Sequence, residues 1–198
     1  MSQNFCDCVV AERHLAANDQ TLAKVISSQS ARWPLSPSEH PIWGLMRIVM
    51  AQQVSTSVAC RVAERARTLY PWLSTPTSDA TLEVASLREL GLPESRARCC
   101  VTLLARSDEI VSNIERGQSW REALTGIKGI GPWTISVFRI MVLREPDVLP
   151  IGDVGLERAV NKVYGRRRNL ERLSEKWKPF RSVACWYLWR TLGNEQLG

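Results

Sequence analysis

No apolar run in this chain approaches the roughly 18 residues that a bilayer-spanning helix needs, so no membrane partner is expected. Histidine is scarce. Its two copies, His14 and His40, have no neighbouring ligands at metal spacing, and no metal site is expected from them. Cysteine is modest, with Cys6, Cys8, Cys60, Cys99, Cys100 and Cys185. The first ten residues lack the long apolar core of a secretory signal, so an intracellular protein with reduced thiols is expected. Cys6 and Cys8 are not followed by a second ligand pair at zinc spacing, and their segment reads as an N-terminal tail. Cys60, Cys99 and Cys100 sit among apolar residues and read as small core fillers. Strand signals are nearly absent, and there is no internal repeat or low-complexity tract.

What remains is helical periodicity over most of 198 residues, 44% of them hydrophobic. This is enough for one sizeable domain or two small lobes. The 26 Lys and Arg against 20 Asp and Glu give a net charge of +6, which favours a polyanionic partner without establishing one. The pattern predicts an all-α protein of nine or ten helices. The first runs from about Asp19 to Ser28. A long one starts at Pro41 and is interrupted by the two amides Gln52 and Gln53. Thr77 or Ser78 caps a helix containing Leu82, Val84 and Leu87. Further helices cover Glu94 to about Ala105, Asp108 to Arg116, Trp120 to Leu124, Pro132 to Leu143, Leu156 to Tyr164, Ser174 to Lys178 and Arg181 to Leu192. The 198 residues read as one domain of two lobes. Residues 1–37 with about 154–198 form one lobe and about 38–153 the other, with the site expected in the cleft between them.

The most informative stretch is Leu124 to Thr134, with Gly126, Gly129 and Gly131 inside six positions. It reads as a hairpin between two helices, within about residues 119–143. Glycine allows a tight turn and close approach of another molecule. A helix beginning near Pro132 aims its positive end at an anion such as a phosphate. The hairpin carbonyls could also hold a monovalent cation at residues 126–131. About twenty residues on, a Pro/Gly-framed loop, Leu149 to Gly155, carries Asp153. A phosphate anchor followed by a loop carboxylate suggests an enzyme that grips DNA and acts on it. By itself, Asp153 also reads as the N-cap of the next helix.

The run Ile127-Lys128-Gly129-Ile130-Gly131-Pro132-Trp133-Thr134, followed by Asp153, resembles the helix-hairpin-helix base-excision DNA glycosylases. Three further stretches are similar to the 3-methyladenine DNA glycosylase II branch: Ile48 to Ser55, Gly91-Leu92 with Ser95 to Ala97, and Trp177 to Ser182 with Ala184 and Trp189. The likeness covers about Leu22 to Leu192. Long members carry an additional N-terminal α/β domain, so this chain looks like the compact form. The resemblance implies the two-lobed helical glycosylase fold and a double-stranded DNA partner containing damaged bases. It makes Asp153 the catalytic carboxylate, stabilising the positive charge that builds on the sugar and orienting water. Glu157 stands one turn further on as a backup. A flipped base is expected between Trp133 and Trp189, each of which also reads as a core tryptophan. Trp43 and Val137 are lesser pocket candidates. Gln53 takes the wedge position, with Gln52 beside it, or both form a polar break that satisfies backbone. Ser55 and the hairpin residues Ile127, Lys128, Gly129, Ile130, Gly131 and Thr134 are expected to meet the DNA backbone. Arg166 to Arg168 read as a phosphate contact or as a solvated loop.

Glycosylases of this group that also cut DNA place a lysine nucleophile where this chain has Trp133, so no lyase step is expected. Some relatives hold an iron–sulfur cluster through four C-terminal cysteines. Here only Cys185 follows Asp153, so neither that cluster nor any organic cofactor is expected. The expected activity is monofunctional release of methylated purines, leaving an abasic site, as base excision repair on chromosomal DNA requires. That places it in the cytoplasm or nucleoid of a bacterium, or the nucleus of a eukaryote. A monomer is the default for an enzyme wrapping a bent duplex. The rivals are a non-catalytic damage-binding module and a glycosylase for oxidised or mismatched bases.

Overall fold

Two aspartates twelve positions apart each start a helix. Asp7 accepts from the backbone N–H groups of Val9 and Val10 and opens α1 (Cys8–Asn18). Asp19 accepts from Thr21 and Leu22 and opens α2 (Gln20–Ser27). Such caps satisfy N–H groups that have no partner within the helix. Helix α1 corrects the expectation of an N-terminal tail. Cys8, Ala11 and Leu15 lie on one buried face, but two of the three are small, so the apolar signal is weak.

The structure, a computed structural model, describes residues 7–34, 37, 39–52, 56–166 and 168–193. Among these there are twelve α-helices and no strands. The chain divides into two compact units, Met1–Pro37 with Arg139–Gly198, and Ser38–Phe138. Segment 139–153, expected with the central lobe, thus groups with the terminal unit. Its Val148 belongs to that unit's core and its Asp147 bonds to Arg181.

The central unit holds α3 (Pro41–Ala51), α4 (Thr56–Leu69), α5 (Val84–Glu89), α6 (Glu94–Ala105), α7 (Ser107–Glu115), α8 (Trp120–Ala123) and the greater part of α9 (Pro132–Met141). His40 Nδ1 caps α3, and Pro41 supplies a preset φ at its first position. Ile42, Leu45, Met46 and Val49 line its buried face, and α3 packs on α4 and α6. Ser78 does not open a helix. Its backbone N–H and hydroxyl both donate to Asp108, and the next helix begins only at Val84.

The chain returns to the terminal unit for α10 (Val154–Tyr164), α11 (Leu170–Ser174) and α12 (Arg181–Arg190). The helix expected at Ser174 to Lys178 is instead the end of α11 followed by one 3₁₀ turn, Glu175–Trp177. Ser182 to Trp189 are all buried, so α12 is the central rod against which α2 and α10 pack. A helix covered on every side carries no polar stripe. Trp33 and Tyr187 both meet Trp186 edge-on, with ring centroids 6.1 and 5.0 Å away.

Candidate active site and hairpin

The loop bearing Asp153 is fastened to the start of α12. Asp147 pairs with the Arg181 guanidinium through Nε at 2.6 Å and a terminal nitrogen at 3.0 Å. The Ser182 hydroxyl accepts the Val148 N–H at 2.9 Å, and Ser182 N–H donates to the Pro146 carbonyl at 2.9 Å. Gly152, at φ 78°, then turns the chain into α10.

Asp153 is the N-cap of α10 and is buried, at 7% exposure. Its Oδ1 accepts from Leu156 N–H at 2.5 Å and from the Trp189 indole N–H at 2.9 Å. One carboxylate oxygen is therefore held by two helices. The cap reading and a chemical role are compatible, because capping is what fixes the carboxylate. Gly155 completes the arrangement. A Cβ built there would stand 3.1 Å from Asp153 Oδ1 and 3.7 Å from Trp189 Cδ1 and Nε1. Burial, reinforced by the Asp153 carboxylate, pushes the Cys185 thiol well above the usual thiol range, so that buried sulfur stays protonated. Sequence reasoning missed the roles of Gly155 and Trp189 toward Asp153. The one available signal was a glycine in the first turn of a helix, where it lowers helix stability.

Trp189 is buried, at 5% exposure, with its N–H directed at Asp153. Trp43, a lesser pocket candidate, is 3% exposed in the core of the central unit and presents no open ring face. Trp133 and Val137, one turn apart on α9, are half-buried. Glu157 is exposed.

The hairpin is built as the glycine spacing requires. Ser119 and Glu122 form a reciprocal cap on α8. The turns are closed by Ile127 N–H to the Leu124 carbonyl at 3.3 Å and Ile130 N–H to the Ile127 carbonyl at 3.1 Å. Gly126 and Gly129 adopt φ 81° and 99°. A Cβ at Gly129 would lie 3.2 Å from Cys99 Sγ, so this glycine seats the hairpin on α6. Gly131 has open space where a Cβ would stand. Lys128 is exposed, Ile130 half-buried, and Ile127 and Thr134 are buried.

The Gln52 side-chain nitrogen is turned toward the hairpin. This Nε2 donates to the Gly129 carbonyl at 3.3 Å and to the Thr134 hydroxyl at 3.1 Å, tying the end of α3 to both sides of the hairpin. Gln52 and Thr134, expected at the DNA backbone, thus also brace the hairpin from within. Gln53, Ser55 and Arg167 lie outside the described residues, as does Cys6. Cys8 is buried and donates to Glu12. Among the described residues no group of His, Cys, Asp and Glu is arranged to hold a metal ion. For a monovalent cation, the Ile127, Gly129 and Gly131 carbonyls each accept one hydrogen bond within the fold, and a carbonyl oxygen has a second lone pair to offer.

The profile of the HhH-GPD superfamily of base excision DNA repair proteins matches residues 46–180. A probable bifunctional transcriptional activator/DNA repair enzyme AlkA of Mycobacterium tuberculosis is 33% identical over 74% of this chain, which spans only 32% of that protein's length. DNA-3-methyladenine glycosylase 1 of Schizosaccharomyces pombe is 27% identical over 91% of this chain and 86% of its own. Among solved structures, a DNA-3-methyladenine glycosidase of Bacillus halodurans aligns with a TM-score of 0.68 at 26% identity, covering 92% of this chain and 89% of that one. The S. pombe 3-methyladenine DNA glycosylase in complex with abasic DNA shares the fold, with a TM-score of 0.77 at 24% identity, covering 93% and 97%.

Proposed function

This chain belongs to the HhH-GPD superfamily of base excision DNA repair proteins, and from that membership and its site we propose that it is a monofunctional DNA glycosylase acting on methylated purines in duplex DNA. The observation that carries the chemistry is the Asp153 carboxylate, buried and fixed through Oδ1 by the N–H groups of Leu156 and Trp189. As the C1′–N bond of the damaged nucleotide breaks, the electron pair leaves with the base and positive charge spreads over the sugar. The carboxylate stabilises that charge without having to reorganise. Water adds to C1′ and gives up a proton, leaving an abasic site and a free base. Methylation at a purine ring nitrogen already weakens the glycosidic bond, so one carboxylate suffices.

The hairpin binds the DNA backbone through its N–H groups, with the N-terminal end of α9 adding a favourable dipole for phosphate. Trp133 and Val137 supply an aromatic and an aliphatic surface on α9 for the extruded base, and a cationic methylpurine gains from the aromatic face. The absence of a lyase step rests on Trp133. A lyase needs an amine to form a Schiff base at C1′, and Lys128 is out in the hairpin, five positions earlier. A cation on the hairpin carbonyls would add positive charge near the phosphate. It takes no part in the bond cleavage.

The test is base release from methylated duplex DNA by wild type and Asp153→Asn. Release of methylpurines by wild type alone, with strand breaks only after alkali, supports the reading. Release by both proteins removes Asp153 from the chemistry. Binding without release by wild type makes the protein a damage-binding module.

A further inference from the structure

The segment from Arg158 to Arg172 contains five arginines and one lysine against a single glutamate, a net +5 in a chain whose total is +6. The hairpin span from Ser119 to Thr134, by contrast, carries Arg121 and Lys128 against Glu122, a net +1. The hairpin holds phosphate through backbone groups. Long-range attraction for a polyanion scales with full charges, and these are concentrated on the terminal unit.

The structure shows how they are displayed. Leu156, Ala159 and Val160 bury one side of α10, which leaves Arg158 and Lys162, one turn apart, exposed on the other. Past the helix, Arg166, Arg168 and Arg172 are exposed as well. Among the described residues the ion pairs of this unit join Arg32 to Glu12, Arg139 to Glu145, Lys176 to Asp19, Lys178 to Glu175 and Arg181 to Asp147. None uses the arginines of the 158–172 segment. The bland alternative is that these cations neutralise helix C-termini. It accounts for Lys162, which donates to the Thr191 carbonyl, and for one of the five N–H donors of Arg168, whose Nε donates to the Tyr164 carbonyl at 3.2 Å. It extends to Arg172, in the last turn of the five-residue α11, but not to Arg158, four positions into α10, or to Arg166, two residues past that helix.

We propose that Arg158, Arg166 and Arg172 form a second phosphate-binding surface, which holds the duplex several base pairs away from the reacting nucleotide. The proposal rests on the DNA-repair reading above and assigns it a new contact. Helix α10 starts at Val154, next to its cap Asp153, and rises about 1.5 Å per residue, so Arg158 stands about 7 Å along its axis and the last helical residue, Tyr164, about 16 Å, with Arg166 and Arg172 following beyond it. At about 3.4 Å per base pair, that span matches roughly two to five steps along a duplex. Phosphate contacts of this kind carry no sequence information; they raise affinity and set register.

The experiment compares two triple variants of equal net charge. One is Arg158→Gln/Arg166→Gln/Arg172→Gln. The other removes three exposed arginines of α4, Arg61→Gln/Arg65→Gln/Arg67→Gln. Affinity for a 25-base-pair undamaged duplex, about 85 Å long and so far longer than that span, is measured against salt, with thermal melting as the check on folding. The surface predicts that the slope of log affinity against log salt falls by about 2 to 3 in the first variant only, with at least about tenfold weaker binding at low salt. It also predicts that the difference from wild type shrinks on a duplex with only about three base pairs on each side of the centre. Equal losses in both variants, or no change of slope in the first, overturn it. Wild type that binds duplex but releases no base overturns the glycosylase reading and leaves this surface standing. Wild type that fails to bind duplex overturns both.

Discussion

The indole N–H of Trp189 donates to Oδ1 of Asp153 across 2.9 Å, inside the core of the terminal unit. A buried tryptophan aimed at the one loop carboxylate of the site acts on its orientation. Trp189→Phe keeps most of the ring and removes the donor. A hydrogen bond to a charged group contributes about 1.5–3 kcal/mol, so kcat for base release is expected to fall about tenfold to a hundredfold. Affinity for duplex DNA should stay near wild type. Unchanged kcat in single-turnover assays would show that the carboxylate is positioned without the Trp189 N–H.

Gly155 gives a sharper test, because stability and activity should move apart. In a helix Gly→Ala normally stabilises, by roughly 0.8–1 kcal/mol. Here the new Cβ would stand 3.1 Å from Asp153 Oδ1, so the carboxylate must give by a few tenths of an ångström, while the indole at 3.7 Å is in ordinary contact. Gly155→Ala is expected to keep or raise the melting temperature while lowering kcat about tenfold or more. A fully active variant would show that the carboxylate tolerates displacement.

The hairpin glycines divide by mechanism. At Gly129 a side chain meets both a φ of 99° and Cys99 Sγ at 3.2 Å, and Gly129→Ala should destabilise the fold by about 1–2 kcal/mol. Gly131 is not at positive φ and has open space around it. Gly131→Ala should therefore melt like wild type yet bind duplex about tenfold more weakly, because the methyl group stands where phosphate must approach. Melting curves and fluorescence anisotropy on the two variants separate the effects. Equal affinity of Gly131→Ala and wild type would remove close backbone approach at this position.

Asp19 ties the terminal unit together and predicts an acid limit to stability. Its Oδ2 accepts from the Tyr164 hydroxyl at 2.6 Å, the Trp177 indole at 2.8 Å and Lys176 at 3.0 Å, while Oδ1 caps α2. Burial alone would raise its pKa. The donors from Trp177, Tyr164, Leu22 and Lys176 together outweigh burial and bring it below the ordinary 3.8. A carboxyl with a depressed folded pKa stabilises fully above its unfolded pKa and loses that contribution as pH falls through the folded value. Urea melts should accordingly show a loss below about pH 4 that is absent in Asp19→Asn. That variant is expected to be destabilised by about 3 kcal/mol at neutral pH, since its amide meets a cluster of donors. Identical acid slopes in the two proteins would assign the loss to other carboxyls.

The residues by themselves determined the all-α class, because apolar positions recur at helical spacing and strand signals are nearly absent. They also fixed the hairpin, since Gly126 and Gly129 sit where positive φ is needed, and they singled out Asp153, framed by Pro150 and Gly152. Local chemistry suffices for such features: a turn or a cap involves atoms only a few positions apart. Helix α1 escaped because its buried face rests on Cys8 and Ala11, too small to signal burial without the partners they touch. Only the tertiary structure decided what Gln52, Trp189 and Gly155 do. Gln52 braces a hairpin 77 positions away, and Trp189 reaches a carboxylate 36 positions earlier. Directed bonds of that kind depend on which helices pack together, and packing is set by the summed burial of many side chains rather than by any motif.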